Sequence, residues 1–499
     1  MPINVLLIIS DEHRKDALSS LGHPTVKTPH IDALASTGTV FTNAYTPSPM
    51  CVPARAALAC GDYVHKTRFW DSATPYDGSK ESWMHKLRAA DIPVHSFGKL
   101  HYKSPDNDNG FTHEHLPMHV VNELGWTVGL LRKNPPPYDV AAELAEDVGV
   151  GSTGYTDYDL AITEAATNFL TSEQAQEKPW VSVVSFVSPH YPLTAPKEYY
   201  ELYDPETVDM PLGYNDSNLP THPELKRVRR FFDYQAYFTE QRLREARVAY
   251  YGLTTFMDNC VGQLVNALQT SGLTDDTLII YTSDHGEMLG DHGYWTKQVM
   301  YEGSAGVPLV MSGPGVTKNL TSHTPCSLLD IPKTICTAAG MASEDCKFGD
   351  DHNDSLTDIA VDEKYKQRSV LSEYHDGGSS TGTFMLRWDK WKYVYYVGED
   401  PQLFNLDADP HETTNLALDG DAATSMSETN LETDLGTNAT LTIKDVLAEG
   451  DRRLRAICDP ELVDQQCFAD QHTRIEELGG EDVLRNTPVF NHTPAPGSS

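Results

Sequence analysis

The feature that most limits what this chain can fold into is a repeated unit. A short apolar, β-branched run leads into a loop rich in charged residues or glycine, and a helical pattern follows. Four such runs stand out, at 5–9, 94–97, 180–186 and 278–282, with helical patterns at 31–36, stopped by Gly38, and at 240–268, stopped near Gly272. Runs that are apolar throughout, without alternation, predict strands buried on both faces, hence a large, mostly parallel sheet sandwiched by helices. In such sheets ligands gather beyond the carboxyl ends of the strands. The four runs end in Ser10-Asp11-Glu12-His13, Gly98-Lys99-Leu100-His101, Ser188-Pro189-His190 and Ser283-Asp284-His285-Gly286. Charged and imidazole groups are therefore expected to converge at one edge of the sheet.

After about residue 367 the texture changes. Short antiparallel strands are expected at 385–388, 392–396 and 403–406, an acidic, Thr- and Ser-rich surface loop at 407–440, and an extended or mobile tail from Asn486. This divides the chain into an α/β catalytic domain over 1–366 and a smaller α+β C-terminal subdomain over 367–499.

Against 38 basic residues stand 72 acidic ones, a net charge of −34. Such a surface argues against nucleic acid and anionic membrane as partners, and an anionic substrate would need its own concentrated positive charge. The first apolar run is short, lacks preceding basic residues and ends in Asp11-Glu12, so it reads as a strand and not a signal peptide. The expected location is cytoplasmic. Eight cysteines in 499 residues make no disulfide framework. Cys458 and Cys467 are close enough in sequence to pair, but free thiols are the expectation without an export signal.

Two segments carry chemistry. In Cys51-Val52-Pro53-Ala54-Arg55, Pro53 marks a helix start and puts Cys51 at the N-terminus, where free amides and the dipole favour an anion. Arg55, one turn on along the same face, can reach the same anion. In Ser283-Asp284-His285-Gly286-Glu287-Met288-Leu289-Gly290-Asp291-His292-Gly293-Tyr294-Trp295-Thr296-Lys297, a strand end offers a carboxylate and an imidazole to a cation. Lys297 follows a glycine-rich turn that can fold it back over the site.

The first segment matches Cys-x-Pro-x-Arg, the sequence read when cysteine is converted to formylglycine. The second closely resembles the Asp-His-Gly-Glu…Gly-Asp-His-Gly-x-Trp…Lys signature of sulfatases and phosphonate monoester hydrolases. The chain thus resembles a type I, formylglycine-dependent sulfatase of the alkaline phosphatase superfamily. Trp70-Asp71-Ser72-Ala73 leans toward the branch of choline sulfatases and phosphonate monoester hydrolases. The resemblance implies metal ligands at Asp11, Glu12, Asp284, His285 and the modified Cys51, with Arg55, Lys99, His101, His190 and Lys297 completing the catalytic set. Leu403-Phe404-Asn405-Leu406 and Asp409-Pro410-His411-Glu412 resemble the family's C-terminal subdomain. The departures are Glu12 where Asp or Gln is commoner, Cys60-Gly61-Asp62 for Thr-Gly-Arg, Ser72 where the branch often has a sulfate-binding Asn, and His285 where many arylsulfatases have Asn.

The chemistry this implies is hydrolysis of a sulfate ester to alcohol and inorganic sulfate, with small, aryl and sugar sulfates all open as substrates. A carboxylate-rich pocket with one histidine suits a single hard divalent cation, Ca²⁺ first and Mg²⁺ or Mn²⁺ otherwise. Lys297 and His190 are expected to hold the sulfate and protonate the departing oxygen. His101 is expected to deprotonate the remaining hydroxyl, with Arg55 and Lys99 holding the nucleophile's charge. The implied partner is a formylglycine-generating enzyme; the assembly state is open, the tail and the large acidic surface being compatible with a homo-oligomer, a dimer or tetramer. Rival readings are a phosphonate monoester or phosphodiester hydrolase with the same site, an enzyme using the unmodified thiol, and an inactive sulfate-binding relative. Substrate choice is expected from the 105–137 loop, where Trp126 lies, and from the C-terminal part. His13, His65, His113, His115 and His119 read as structural, and 350–354 as a solvated loop.

Overall fold

The computed structural model describes residues 2–138, 140–177, 179–214, 219–342, 344–349, 353–419, 442–488 and 492–496. Most of the acidic loop expected at 407–440 lies outside these residues, as do positions 350–352.

The main sheet has eight strands. In chain order they are β1 (Asn4–Asp11), β2 (Thr39–Phe41), β3 (Val94–Lys99), β4 (His113–Met118), β5 (Val181–Pro189), β6 (Thr277–Ser283), β7 (Leu309–Ser312) and β8 (Leu320–Ser322). Their spatial order is β8-β2-β7-β6-β1-β5-β3-β4. The neighbours from β6 to β4 pair in parallel, with Leu7 of β1 opposite Val183 on one side and Ile280 on the other, whereas β7 runs antiparallel between β6 and β2.

Helices cover both faces, as the continuous apolar strands require. They include α1 (Pro29–Thr37), α2 (Cys51–Cys60), α3 (Gly154–Leu170) and the long α4 (Glu240–Thr270). Leu7, Ile9, Val183 and Ile280 point to the face that α2 covers with Ala56 and Ala59. Leu6, Ile8, Val184 and Ile279 point to the other, packed by Ile31 and Leu34 of α1, Ile162 of α3 and Val261 and Leu264 of α4. Each run thus uses both parities of the strand repeat. Thr239 caps α4 by accepting from the Arg242 amide, and Gly272, at φ 70°, follows its end.

A second, antiparallel sheet is formed by β9 (Val370–Tyr374), β10 (Thr383–Trp388), β11 (Trp391–Tyr396) and β12 (Gln402–Asn405), in that order. Its first strand precedes the three expected ones. Two further helices, α5 (Ile443–Ile457) and α6 (Pro460–Glu477), follow. Residues 492–496 return to the main body: the Tyr155 hydroxyl donates to the Thr493 carbonyl at 2.5 Å and Ala495 is buried in the core. All eight cysteines are buried thiols, Cys458 and Cys467 included. No helix among the described residues is long and apolar enough to cross a membrane.

Candidate active site

Five strand or helix ends meet at one point. β1 delivers Asp11 and Glu12, β3 ends in Lys99 with His101 two residues on, β5 is followed by His190, and β6 by Asp284 and His285. Cys51 is the first residue of α2, and no side chain caps that N-terminus. Glu12 and His101 adopt left-handed backbone, φ 65° and 54°, so the chain turns sharply where these side chains must face inward.

Cys51 is the centre of the cluster. Its Sγ lies 3.0 Å from His285 Nε2 and 3.7 Å from Asp11 Oδ1, and Lys297 Nζ approaches it at 3.4 Å. Lys297 arrives as its glycine-rich turn predicted. Glu287, buried in that turn, accepts from the amides of Leu289 and Thr296 at 2.6 Å each and pins the fold-back. Lys297 Nζ is also 3.0 Å from His190 Nε2 and 3.3 Å from Glu12 Oε1, while His190 Nε2 is 3.3 Å from Glu12 Oε2.

Arg55 sits one turn above Cys51, but its donors go to protein groups. Nε donates to Asp284 Oδ2 (2.7 Å), one terminal nitrogen to Asp11 Oδ2 (3.2 Å), and the other to the Lys99 carbonyl (2.7 Å) and Ser185 Oγ (2.9 Å). Lys99 Nζ lies 2.5 Å from the same Asp11 Oδ2. These cations occupy the Oδ2 atoms, and the Oδ1 atoms of both aspartates face His285 Nε2 at 3.7 Å each.

Burial and this charge pattern set the protonation states. Burial pushes the Cys51 thiol up, seconded by Asp11, to about 12. Burial would raise Asp11 too, but Lys99, His190, Arg55 and His285 outweigh it and hold the carboxyl well below its ordinary range. Glu12 is pushed up by burial to about 8, and neither of its carboxylate oxygens makes a hydrogen bond. Burial, then Lys99 and Arg55, lowers His101, whose two ring nitrogens are also without hydrogen bonds; burial, then Lys297, lowers His190.

A cavity of about 90 Å³ opens over Cys51. Lys99, His101, His190 and Lys297 line its polar end, and Trp126, Tyr138, Tyr155, Tyr191, Phe232 and Tyr234 its aromatic walls, with His492 and Thr493 from the tail. Tyr138 and Phe232 are edge-to-face at 5.2 Å, and Phe232 stacks on Tyr234 at 5.7 Å. Ser72 lines the cavity as well, and its hydroxyl donates to buried Asp376 at 2.6 Å.

Residues 3–341 match the model of the sulfatase family, and residues 290–438 match one described as N-sulphoglucosamine sulphohydrolase, C-terminal. The chain belongs to the sulfatase family. It is therefore a sulfuric ester hydrolase. This sulfatase is 33% identical over 437 residues to the choline-sulfatase of Rhizobium meliloti (strain 1021), spanning 83% of this chain and 82% of that one. It is 31% identical over 433 residues to arylsulfatase K of Bos taurus, spanning 83% and 78%. Among solved structures, the phosphonate monoester hydrolase of Agrobacterium radiobacter superposes with a TM-score of 0.71 at 24% identity, over 91% of this chain and 95% of that one, a likeness of fold.

The sulfatase thus brings every sequence-read site residue into one cluster. Sequence reasoning missed Ser185 behind Arg55, the aromatic walls other than Trp126, and the tail. None of these carries a local signal, because aromatic residues on separate loops acquire a common purpose only when the fold assembles them. The histidines read as structural include two with visible reasons. His13 lies 2.6 Å from the Tyr281 hydroxyl and 2.9 Å from the Ala17 carbonyl, and His65 2.8 Å from Glu373. In the 350–354 segment, Asn353 is buried and donates to the Gly61 carbonyl at the end of α2.

Proposed function

We propose that this sulfatase hydrolyses a small sulfate ester by way of a formylglycine made from Cys51, assisted by one divalent metal ion. The observation that carries this reading is the packing of Cys51 Sγ against His285, Lys297 and Asp11 at 3.0, 3.4 and 3.7 Å.

The residues present fit a metal ion. One ligand atom each from Asp11, Cys51, Asp284 and His285 lie within 4.8 Å of one another, and the buried Glu12 carboxylate has no hydrogen-bond donor of its own. Arg55 and Lys99 orient the two aspartates so that one oxygen of each faces the cluster. A hard cation, Ca²⁺ before Mg²⁺ or Mn²⁺, suits this oxygen-rich set, and when bound it neutralises sulfuryl charge and raises the acidity of a neighbouring hydroxyl.

A thiol held near 12 is a poor nucleophile at neutral pH. The hydrated aldehyde supplies a hydroxyl in its place, which attacks sulfur as the alcohol leaves, and loss of the second hydroxyl's proton then expels sulfate and restores the aldehyde. Lys297 and His190, 3.0 Å apart, hold the sulfuryl oxygens and deliver a proton to the departing alcohol oxygen. His101, lowered by burial and free of hydrogen bonds, takes the proton of the second hydroxyl. Lys99 and Arg55 keep Asp11 ionised, and Arg55 aims Asp284.

The alcohol half faces aromatic walls in a small cavity. Aromatic faces suit a quaternary ammonium group through cation–π attraction, or an aryl group through stacking. The relative that acts on choline sulfate, by its name, favours the first. The deciding experiment is peptide mass spectrometry across residue 51 on protein coexpressed with a formylglycine-generating enzyme, alongside turnover of choline sulfate, an aryl sulfate and a phosphonate monoester. A peptide about eighteen mass units lighter than the Cys form, with a sulfate ester turned over fastest, is expected. An unmodified Cys51 with full activity overturns the nucleophile. Faster turnover of the phosphonate overturns the substrate class, and binding without turnover of any ester overturns catalysis.

A further inference from the structure

A second cluster of ligating side chains lies at the far edge of the main sheet, away from the catalytic end. β4 is the last strand there, and its parallel pairing with β3 places His95 opposite His113 and Phe97 opposite His115. The period of two puts all four side chains on one face. The imidazole centres are 5.2 Å apart for His95–His113, 5.8 Å for His95–His115 and 6.1 Å for His113–His115. Phe169 of α3 packs on His95 and Phe97 stacks on His115, each at 4.4 Å. His95 is buried, His115 half-buried and His113 exposed, so the cluster opens to solvent on one side.

The charges that act on His95 are its two neighbours, and with burial as the larger cause they push it down to about 4. Burial, then His113, lowers His115 as well. Glu114 alternates to the opposite face, where it lies 3.5 Å from His119. At neutral pH His95 and His115 therefore present lone pairs. His95 Nδ1 and His115 Nε2 face each other at 3.5 Å, long for a nitrogen–nitrogen hydrogen bond. Two nitrogens bound at about 2.0–2.1 Å to one tetrahedral ion sit about 3.4 Å apart, so small ring swings direct both at a shared ion.

We propose that His95, His113 and His115 form a site for a borderline divalent transition-metal ion, Zn²⁺, Ni²⁺ or Cu²⁺, that clips the edge strand β4 to β3. The exposed His113, whose ring stacks on His95, completes the ligand set by rotating its side chain. The donors are all imidazole, unlike the carboxylate-rich catalytic cluster, so hard cations leave this site vacant. The ion would fasten the edge strand to its neighbour, and would brace the strand whose other end carries Lys99.

The test titrates Ca²⁺-saturated full-length protein with Cu²⁺, counting equivalents by calorimetry and reading imidazole nitrogen hyperfine splitting by electron paramagnetic resonance. His95 is left intact because it is buried. The parent is expected to bind one equivalent more than the His113→Ala/His115→Ala double variant, and each single variant to bind that equivalent at least tenfold more weakly. Zn²⁺ is expected to raise the thermal midpoint of the parent more than that of the double variant. Equal uptake and equal thermal shifts in parent and double variant overturn the proposal.

Discussion

The sulfur of Cys51 and Nε2 of His285 lie 3.0 Å apart across a sequence separation of 234 residues. One group starts a helix and the other follows a central strand, so the contact depends on the whole sheet being assembled. It also sets the terms for Lys297, which closes over the same sulfur at 3.4 Å while touching His190 and Glu12.

Lys297→Ala removes the one ammonium that faces residue 51, His190 and Glu12 together. In the proposed mechanism this charge acts on the sulfuryl group as it transfers, so the loss should appear in kcat. A fall of about 10²–10³ in kcat is expected, with unchanged conversion of Cys51 by mass spectrometry. A variant that loses only affinity for substrate would confine Lys297 to ground-state binding.

His101→Ala separates the two halves of the reaction. If His101 takes the proton of the second hydroxyl, the variant should still cleave the ester once and then stall. Rapid-quench assays should show a burst of alcohol followed by turnover reduced about 10²–10⁴-fold. Intact mass should show the sulfated protein. Slow turnover with no burst would place His101 in the first half.

Much of this site was legible because strand ends are local. Asp11, Lys99, His190 and Asp284 each follow an apolar run, and parallel topology sends such ends to one side. The two histidines beside the second and fourth of these groups, His101 and His285, came with the same runs. The spacing of Arg55 from Cys51 placed it correctly too, but its donors go to Asp11, Asp284, Ser185 and the Lys99 carbonyl. A spacing argument fixes which side of a helix a residue is on and leaves open which of several ions there it meets. The aromatic walls were illegible for a different reason: Trp126, Tyr138, Phe232 and Tyr234 meet only through tertiary packing. Residues 492–496 read as part of an extended or mobile tail because Tyr155, whose hydroxyl binds the Thr493 carbonyl, is over three hundred residues away.

Gly286→Ala tests why a glycine follows the Asp-His pair. A Cβ there would stand 1.9 Å from the Gly303 carbonyl oxygen, with the Gly306 carbonyl oxygen at 2.9 Å. The backbone would have to shift, and the Gly286 carbonyl, 2.9 Å from His285 Nδ1, would move with it. A loss of about 1–3 kcal/mol in stability is expected by denaturant titration. Calcium affinity should fall about tenfold or more, because a group orienting the imidazole is displaced. Undiminished calcium affinity in the folded variant would show that this carbonyl does not aim His285.

Glu12 gives a pH signature to the metal-free protein. Its carboxyl is pushed from 4.5 to about 8 by burial, so the folded state keeps a proton that the unfolded chain releases above 4.5. Bound protons are then more numerous in the folded state between these values, and stability must fall as pH rises through that window. Asp258 and Glu412, each raised to about 7 by burial, act in the same direction, and buried histidines pushed down to about 4, His13 and His95 among them, act in the opposite one, so the readout is a difference between variants. Between pH 5.5 and pH 8 the melting temperature of the chelated parent is expected to drop relative to that of Glu12→Gln. Asp11, held well below its ordinary range, titrates under this window and does not confuse it. Added Ca²⁺ should shrink the drop in the parent, since a bound cation favours the ionised carboxylate, and should change Glu12→Gln less. Equal drops in parent and variant, with and without calcium, would remove Glu12 from both the titration and the metal's coordination.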